Sequence, residues 1–448
     1  MALFDRSALQ PGVAPREVFA WSLYDFANSG YTTVVLTAVF NSYFVGVVAQ
    51  KADWATLAWT LALAASNIAV MFSMPVIGAW ADLYAAKKRL LVVSTIGCVV
   101  ATAALAACGQ GDVALAMIVV AVSNYFFSIG EALAAAFLPE LARHETLGKV
   151  SGWAWSFGFF GGMLSLGLCL AWVIAAQARG EPASQFVPVT MLIVAAVFAL
   201  AAVPTFLILR ERGRAQAGRE SGGAVTAQSA GALSQVLRTV HQARQFQDFW
   251  RLMWCGTAYF AGISVVIALA AVYAEEAMGF KQQDTMMLIF LVNIAAALGA
   301  FAFGYAQDRI GHKRALAITL LGWILMVLIA ALTTSVAMFW LAAVIAGLCM
   351  GSSQSCGRAM VGYLTPASQL AEFFGLWALA TRLSAVVGPV VYGLVTWSTG
   401  GNHRLAILVT GGFFVIGLVL LRGIDMQRGH QAALDSSQPL HHTGVARP

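Results

Sequence analysis

Residues 304–314 read GYAQDRIGHKR, a short charged segment between two long apolar runs, and this segment decides the fold. Gly304 allows one helix end to approach its neighbour closely. Asp308 can accept hydrogen bonds from the exposed N–H groups at a helix start, where the helix dipole favours negative charge. Lys313 and Arg314 are suited to the lipid headgroups on the cytoplasmic side. The segment is therefore predicted to connect two membrane helices.

The same pattern occurs once more, in the first half of the chain. Four positions recur at the same spacing: Gly78, Asp82, Lys87 and Lys88 correspond to Gly304, Asp308, Lys313 and Arg314. The offset is about 226 residues (304 − 78), close to half of the chain, and a self-similarity at fixed offset indicates a duplicated architecture. The first copy departs from the second at two positions, where Leu83 and Ala85 stand in place of Arg309 and Gly311.

The composition is that of a membrane protein. Of the 448 residues, 60% are hydrophobic and 10% are charged, whereas a soluble domain is about a quarter charged. Apolar runs long enough to span a bilayer recur about twelve times. We expect these spans at about 18–48, 54–81, 88–108, 113–138, 149–177, 187–210, 248–278, 283–307, 313–333, 335–362, 370–398 and 402–422. They divide the chain into two six-helix halves, 18–210 and 248–422.

The basic residues predict the orientation. The formal net charge is +6, and the Lys and Arg residues lie in loops beside the spans, which indicates membrane topology rather than nucleic-acid binding. With the N-terminus inside, about 20 of the 26 basic residues are cytoplasmic, and only about four (Lys51, Arg179, Lys281 and Arg404) are outside. We therefore expect a multi-pass protein of the plasma (cell inner) membrane with both termini, including residues 1–17, in the cytoplasm. We expect no cleavable signal, because the first ~16 residues are polar and the first apolar run is too long for a signal-peptide core.

Two polar segments lie outside the spans. Residues 211–247 join the halves, and Leu233, Val236, Leu237 and Val240 recur there at helical spacing among basic residues. This pattern predicts an amphipathic helix on the inner membrane surface; a plain linker is the alternative. Residues 423–448 are polar and are predicted to be a disordered cytoplasmic tail.

The sequence contains no recognisable enzyme or cofactor motif. The six cysteines are scattered through apolar runs without a C-x-x-C spacing, which indicates small core residues rather than metal ligands. A phosphate loop and a His-Glu-x-x-His motif are both lacking. We predict no metal, no cofactor and no enzymatic activity.

The first span carries an aspartate. Asp25 lies about seven residues, or ~11 Å, inside the start of the first span, where an ionisable group is costly unless it faces water or a partner. Tyr24 and Asn28 are close enough along the helix to orient it. We predict that Asp25, Asn28 and Tyr24 serve substrate binding or proton coupling; the alternative for Asp25 is a structural hydrogen bond near the helix start.

Two further charges occupy equivalent places in the two halves. Glu131 precedes Pro139 by eight residues and Arg358 precedes Pro366 by eight, at an offset near 227 (358 − 131). Each sits about 12 Å from the cytoplasmic end of its helix, and opposite charges at one depth are natural partners in lipid. We predict that they form a gate pair between the halves. Separate pairing within each half and direct substrate contact are the alternatives.

Arg382 lies near the middle of the eleventh span. A guanidinium at that depth needs an anion, carbonyl groups or water. A substrate carboxylate is one candidate partner, and a buried internal partner is the other.

These motifs resemble those of the major facilitator superfamily, whose signature loop lies between the second and third helices of each six-helix half. The string WSLYDFANSGY at 21–31, with FLP at 137–139, Gln354, Arg358 and EFFG at 372–375, resembles the "unknown major facilitator" branch, which is similar to the fungal vacuolar amino-acid effluxers. The resemblance implies an all-α membrane protein of two pseudo-symmetric six-helix bundles, alternating access and an amino-acid-like solute.

We therefore predict a secondary active transporter that moves a small solute, coupled to protons, and acts as a monomer in the lipid bilayer. A non-transporting sensor or receptor on the same scaffold is one alternative, and an effluxer of lipids or drugs is another. A membrane enzyme would need a nucleophile–base pair or a metal set, and neither is found.

Overall fold

The computed structural model describes residues 4–52, 54–213, 245–280 and 282–437. Twelve of its helices are long and apolar enough to cross a membrane, which confirms the predicted number of spans. The six of the first half are α1 Pro15–Tyr31, α2 Ala55–Tyr84, α3 Lys87–Ala104, α4 Val113–Ala135, α5 Leu147–Ala178 and α6 Ala183–Ile208. The six of the second half are α7 Gln247–Met278, α8 Gln282–Ile310, α9 His312–Leu332, α10 Val336–Leu364, α11 Leu370–Ser398 and α12 His403–Arg422.

The two halves pack in the same way. In the first half α1 packs on α5 and α6, α4 packs on α2 and α3, and α3 packs on α6. In the second half α7 packs on α11 and α12, α10 packs on α8 and α9, and α9 packs on α12. Five helix pairings are thus repeated at equivalent positions, as the duplicated signature segment predicts.

The first span is irregular beyond α1. It continues as π-helical segments over Thr32–Ala38 and Phe44–Val48, which flank one α-helical turn, Phe40–Tyr43. Such π segments interrupt the regular hydrogen-bond ladder and occur often at functional sites. The span is therefore regular where it carries Asp25 and irregular toward its other end.

The halves meet near one face of the molecule. We call it the signature-loop face; it carries residues 85–86 and Gly311, which connect α2 to α3 and α8 to α9. Near this face α2 packs against α11, and α5 packs against α8 and α10. The approach is close: a Cβ at Gly78 would lie 2.6 Å from the carbonyl oxygen of Ala371, so only glycine fits there.

A thirteenth helix, α13 Met426–Ser437, lies at the signature-loop face and shows that the prediction of disorder is wrong for these residues. Arg428 donates from Nε and Nη2 to both carboxylate oxygens of Asp248, at 2.8 and 2.7 Å. Gly429 lies against Leu364, and Ala433 is buried. The disorder prediction counted the polarity of the segment, but small residues on one side let it pack on α7 and α10.

The predicted amphipathic helix at Leu233–Val240 lies outside the described residues, as does the end of the tail from 438. The start of the connecting segment is described. Glu211 accepts from the backbone N–H groups of Lys87 and Lys88, at 2.8 and 3.1 Å, and so caps the first turn of α3.

Candidate functional site

One ion pair joins α1 to α10 between the halves. Arg358 donates from Nη1 to Asp25 Oδ2 at 2.5 Å. Its Nε and Nη2 donate to the hydroxyl and the carbonyl oxygen of Ser151, at 3.1 and 2.9 Å. The guanidinium also lies 5.1 Å from the ring centroid of Trp21 and 5.3 Å from that of Trp155. Arg358 is 7% exposed, so this cation is buried, stacked and held by several hydrogen bonds.

A second ion pair joins α4 to α11. Arg382 donates from Nη2 to Glu131 Oε2 at 2.7 Å, and its guanidinium lies 5.8 Å from the ring centroid of Phe127. The Nε of Arg382 is buried and has no hydrogen-bond partner among the described residues. The side chain of Glu131 is 46% exposed, against 14% for Asp25. The second pair is therefore less completely bonded and more accessible than the first.

The predicted partners were wrong, although both residues do pair across the halves. Glu131 and Arg358 stand at equivalent positions of the two repeats, but α4 packs on α11 and α10 packs on α5. Glu131 pairs with Arg382 of α11, and Arg358, which bonds to Ser151 of α5, pairs with Asp25 of the neighbouring α1. The internal partner considered for Arg382 is present and belongs to the other half. Equal depth in the membrane does not place two residues on facing sides of their helices.

Tyr24 and Asn28 do not orient Asp25 in the predicted way. The hydroxyl of Tyr24 shares a 3.0 Å hydrogen bond with Thr95 of α3, inside the first half. Asn28 is buried, and its Oδ1 has no hydrogen-bond partner among the described residues. Asn28 is therefore a candidate ligand contact, and Tyr24 has a packing role within the bundle.

Three polar side chains form a layer next to the first ion pair. Asn28, Gln354 and Trp155 stand three or four residues, about 4.5–6 Å of helix rise, from Asp25, Arg358 and Ser151 respectively. Each is displaced away from the signature-loop face, because α1 and α5 begin at that face and α10 ends there. Asn28 Oδ1, Gln354 Oε1 and Trp155 Nε1 are buried atoms without a hydrogen-bond partner in the described structure. Two acceptors and a donor are thus left for a ligand.

Sequence reasoning missed Ser151 altogether. The hydroxyl of this residue of α5 donates to the carbonyl oxygen of Ser355 at 2.9 Å and accepts from Nε of Arg358, so it links α5 to α10 beside the ion pair. A single serine in a Gly- and Ser-containing membrane helix carries no distinctive signal. Only the contact between α5 and α10 reveals its role.

The signature-segment aspartates cap helices of the opposite half, which confirms the predicted type of contact. The two carboxylate oxygens of Asp308 accept from the backbone N–H groups of Gly148 and Lys149 at the start of α5, both at 3.0 Å. Asp82 accepts from the N–H of Glu372 at the start of α11, at 3.1 Å. Both contacts cross from one half to the other at the signature-loop face.

The basic residues of the segments bind protein groups as well as facing the surface. Lys87 pairs with Glu140, and Lys88 Nζ donates to the carbonyl oxygen of Leu209 at 2.6 Å. Lys313 Nζ donates to the carbonyl oxygens of Arg422 and Ile424. Lys88 and Lys313 thus satisfy carbonyl groups at the ends of α6 and α12, as basic side chains near a helix C-terminus commonly do. The exposed residues of the second segment are Arg309, Ile310, Gly311 and Arg314.

Gly311 and Ala85 occupy the corresponding turn of the two segments. Gly311 has φ +91° and Ala85 has φ +49°, so the turn needs a left-handed residue in both copies. Glycine adopts this conformation without strain and alanine does not.

In the described part of the chain, no group of three or more His, Cys, Asp or Glu residues could hold a metal ion.

Two repeated six-helix halves, with charged and capping contacts between them, define a transporter of the major facilitator superfamily. The structure resembles the superfamily's proton:xylose symporter XylE with a TM-score of 0.70, covering 91% of this chain and 95% of XylE at 14% sequence identity. Residues 42–434 match the family described as "Vacuole effluxer Atg22 like", and the chain belongs to this family.

Two relatives show how far the sequence similarity extends. The uncharacterized MFS-type transporter YxiO of Bacillus subtilis is 24% identical over 409 residues, which is 90% of this chain and 93% of YxiO. Autophagy-related protein 22-1 of Aspergillus niger is 27% identical over 239 residues, which is 50% of this chain but only 38% of the fungal protein. The chain thus matches YxiO over nearly its whole length and the fungal protein over a part.

Proposed function

We propose that this transporter moves a small polar solute by alternating access, coupled to protons, as a secondary active transporter. The observation that carries the proposal is the set of contacts between the halves. Both ion pairs and both aspartate caps cross from one half to the other on the signature-loop side of the molecule. Breaking these contacts opens that side, and re-forming them closes it.

The signature-loop face is the cytoplasmic face in this proposal, because most Lys and Arg residues lie there. The structure then corresponds to a state that is closed toward the cytoplasm and opens outward. Both termini are cytoplasmic, and the membrane is the cell's plasma membrane. The family description names a vacuole effluxer, and efflux from a vacuole runs toward the cytoplasm, so movement of the solute toward the cytoplasm is the direction we favour.

The Asp25–Arg358 pair is the cytoplasmic gate, in place of the Glu131–Arg358 pair expected from the sequence. Its buried guanidinium is held from α1, α5 and α10 at once. When the cytoplasmic side opens, water replaces these partners, and the charges are solvated separately. In the closed state the pair avoids the high cost of an unpaired charge in the membrane.

A polar, amino-acid-like solute fits the site better than a lipid or an apolar drug. The site offers an unpaired arginine donor and the unbonded polar atoms of Asn28, Gln354 and Trp155. Buried polar atoms of this kind are costly unless a ligand or water satisfies them. An apolar solute would leave them unsatisfied.

The test begins with a thermal-shift screen of amino acids, peptides and common drugs on the purified protein, because a bound ligand raises stability by mass action. Compounds that bind are then tested for uptake into proteoliposomes under an imposed pH step, with protein-free liposomes as the blank. We expect accumulation that depends on the pH step. Binding without flux would refute the transporter and support a sensor; flux without a response to pH would refute proton coupling.

A further inference from the structure

The two arginines between the halves differ in how completely their donors are used. Arg358 bonds through Nε, Nη1 and Nη2, and stacks between two tryptophan rings. Arg382 bonds through Nη2 to Glu131, and its buried Nε has no partner among the described residues. A guanidinium offers five donors in a rigid fork that matches a carboxylate or phosphate in two-point contact. Arg382 therefore has capacity for an anionic ligand that Arg358 lacks.

The partner of Arg382 is also the accessible member of its pair. Glu131 is 46% exposed, whereas Arg382 is 17% exposed. In the outward-open state proposed above, water reaches this exposed carboxylate, so it can leave the arginine without being stranded in an apolar medium. An incoming anion can then occupy the fork of Arg382 from the same side.

We infer that the solute carries an anionic group that binds Arg382 in exchange for Glu131, and that the displaced Glu131 carries the coupled proton. The inference rests on the proposed transport function and assigns its substrate class and its proton carrier. The class is an organic acid, zwitterions included, with a carboxylate or an equivalent anionic group. Glu131 thereby replaces Asp25 as the proton carrier.

The charges balance in each step. Before binding, the negative charge of Glu131 compensates the positive charge of Arg382. The solute anion takes over that compensation, and Glu131 is left as an unpaired carboxylate. Closing the outer side removes the water around it, and an unpaired charge in the membrane interior is costly. One proton from the outer solution neutralises Glu131, so one proton and one anionic group are occluded together.

The surroundings of Glu131 leave Arg382 as the charged group that controls it. The helices that pack on α4 are α1, α2, α3 and α11. In their middle parts these helices carry the titratable groups Tyr24, Asp25, Tyr31, Cys98 and Arg382, whereas Glu17, Asp82, Tyr84, Lys87, Lys88, Arg89 and Glu372 lie near the signature-loop face and Tyr392 lies toward the opposite end. The two tyrosine hydroxyls are bonded to Thr95 and to a serine of α4, and Cys98 is buried. The other acid of the site, Asp25, is held by Arg358.

A layer of unbonded polar atoms lies about one helical turn from the first ion pair, and in this proposal it supplies the remaining contacts of the solute. Asn28 Oδ1 and Gln354 Oε1 are acceptors, and Trp155 Nε1 is a donor. The acceptors suit an ammonium or hydroxyl group on the solute, while Arg382 holds its acidic group. A solute that offers only apolar groups or only a cation leaves the arginine donor unused.

Binding to the purified protein tests the inference without requiring flux. The probes have similar carbon frameworks and differ in charge. Leucine carries a carboxylate and an ammonium group, 4-methylpentanoate carries the carboxylate alone, and leucinol carries the ammonium group alone. Thermal shifts are measured from about pH 5 to about pH 8, and proton uptake on binding is followed with a pH dye in weak buffer. We expect stabilisation by probes that contain a carboxylate, and uptake of about one proton per bound molecule. Uptake of one proton makes the affinity fall about tenfold per unit of rising pH.

Three variants sharpen the result. Glu131→Gln removes the competitor and the proton carrier, so binding should become independent of pH and take up no proton. Arg382→Gln should abolish carboxylate binding. Arg382→Lys should weaken carboxylate binding while it keeps the positive charge that pairs with Glu131. Glu181→Gln, a change of the same kind in a loop glutamate paired with Arg179, is the control and should behave as wild type.

Any one of three outcomes overturns the inference. The first is stabilisation by leucinol that persists in Arg382→Gln. The second is a lack of stabilisation by leucine and by 4-methylpentanoate at every pH. The third is proton uptake that survives in Glu131→Gln. These results concern binding, so they are distinct from a failure of the proposed transport, which would show as binding without accumulation in proteoliposomes.

Discussion

Replacing Asp25 by asparagine should open the cytoplasmic side of the transporter. The change keeps the shape of the side chain and removes the charge that faces Arg358 at 2.5 Å. Arg358 is 7% exposed, so in the closed state its charge would be left without a counter-charge. Breaking a buried ion pair by removing one partner costs about 3–5 kcal/mol. The asparagine oxygen can still accept a hydrogen bond, so we expect the lower value.

The cost applies to the closed state alone, because water solvates Arg358 once the halves separate. A cost of about 3 kcal/mol changes the ratio of closed to open molecules by about a hundredfold, since each 1.4 kcal/mol is a factor of ten. The assay is pulsed electron paramagnetic resonance between spin labels at Glu145 and Ala367. Both residues are exposed and lie on opposite halves at the signature-loop face. The distance distribution should shift from the short toward the long population.

The control for this experiment is Asp112→Asn. Asp112 is an exposed loop residue that accepts from the N–H of Gly109, so the same chemical change there should leave the distances unchanged. The double variant Asp25→Asn with Arg358→Gln removes both charges and should shift the population less than the sum of the single changes, because contacting residues are not additive. An unchanged distance distribution in Asp25→Asn, or strict additivity, would refute the role of this pair as the gate.

Further predictions concern the caps, the helix contact and the topology. Asp308→Asn should weaken the cap of α5 by about 0.5–2 kcal/mol and shift the same label distances in the same direction; unchanged distances would contradict a closing role. Gly78→Ala should hinder closure of the signature-loop face, because the added Cβ meets the carbonyl oxygen of Ala371. Gly412→Ala is the control, because open space surrounds Gly412. The same distance between the two spin labels in both variants would contradict this prediction. A cysteine at Asp435 should resist an impermeant thiol reagent in intact cells and one at Glu181 should react; the reverse pattern would contradict the orientation.

The sequence predicts the framework well because its signals are local. Twelve apolar runs are visible by length alone, and the described residues form twelve helices long and apolar enough to cross a membrane. The aspartates of the two signature segments were predicted to cap helix starts, and Asp308 does so at the start of α5. The carboxylate's preference for exposed N–H groups made that contact type predictable, although the half that supplies the helix start was not.

The partners of the buried charges were harder to predict. Residue counts give the depth of Glu131 and Arg358 in the membrane, but not the direction in which each helix presents them. A helix turns by a full circle every 3.6 residues, so a small rotation selects another neighbour. The pairing of Arg358 with Asp25, and of Glu131 with Arg382, follows from which helices pack across the boundary between the halves, a tertiary property.

The distribution of charge between the halves has a consequence for coupling. Both acids of the two ion pairs, Asp25 and Glu131, belong to the first half, and both arginines, Arg358 and Arg382, belong to the second. Separation of the halves on the cytoplasmic side therefore parts two negative charges from two positive ones. An empty transporter must solvate all four charges to open. When the solute anion occupies Arg382 and a proton neutralises Glu131, opening separates only the Asp25–Arg358 pair. Solute and proton together therefore make opening easier than either alone.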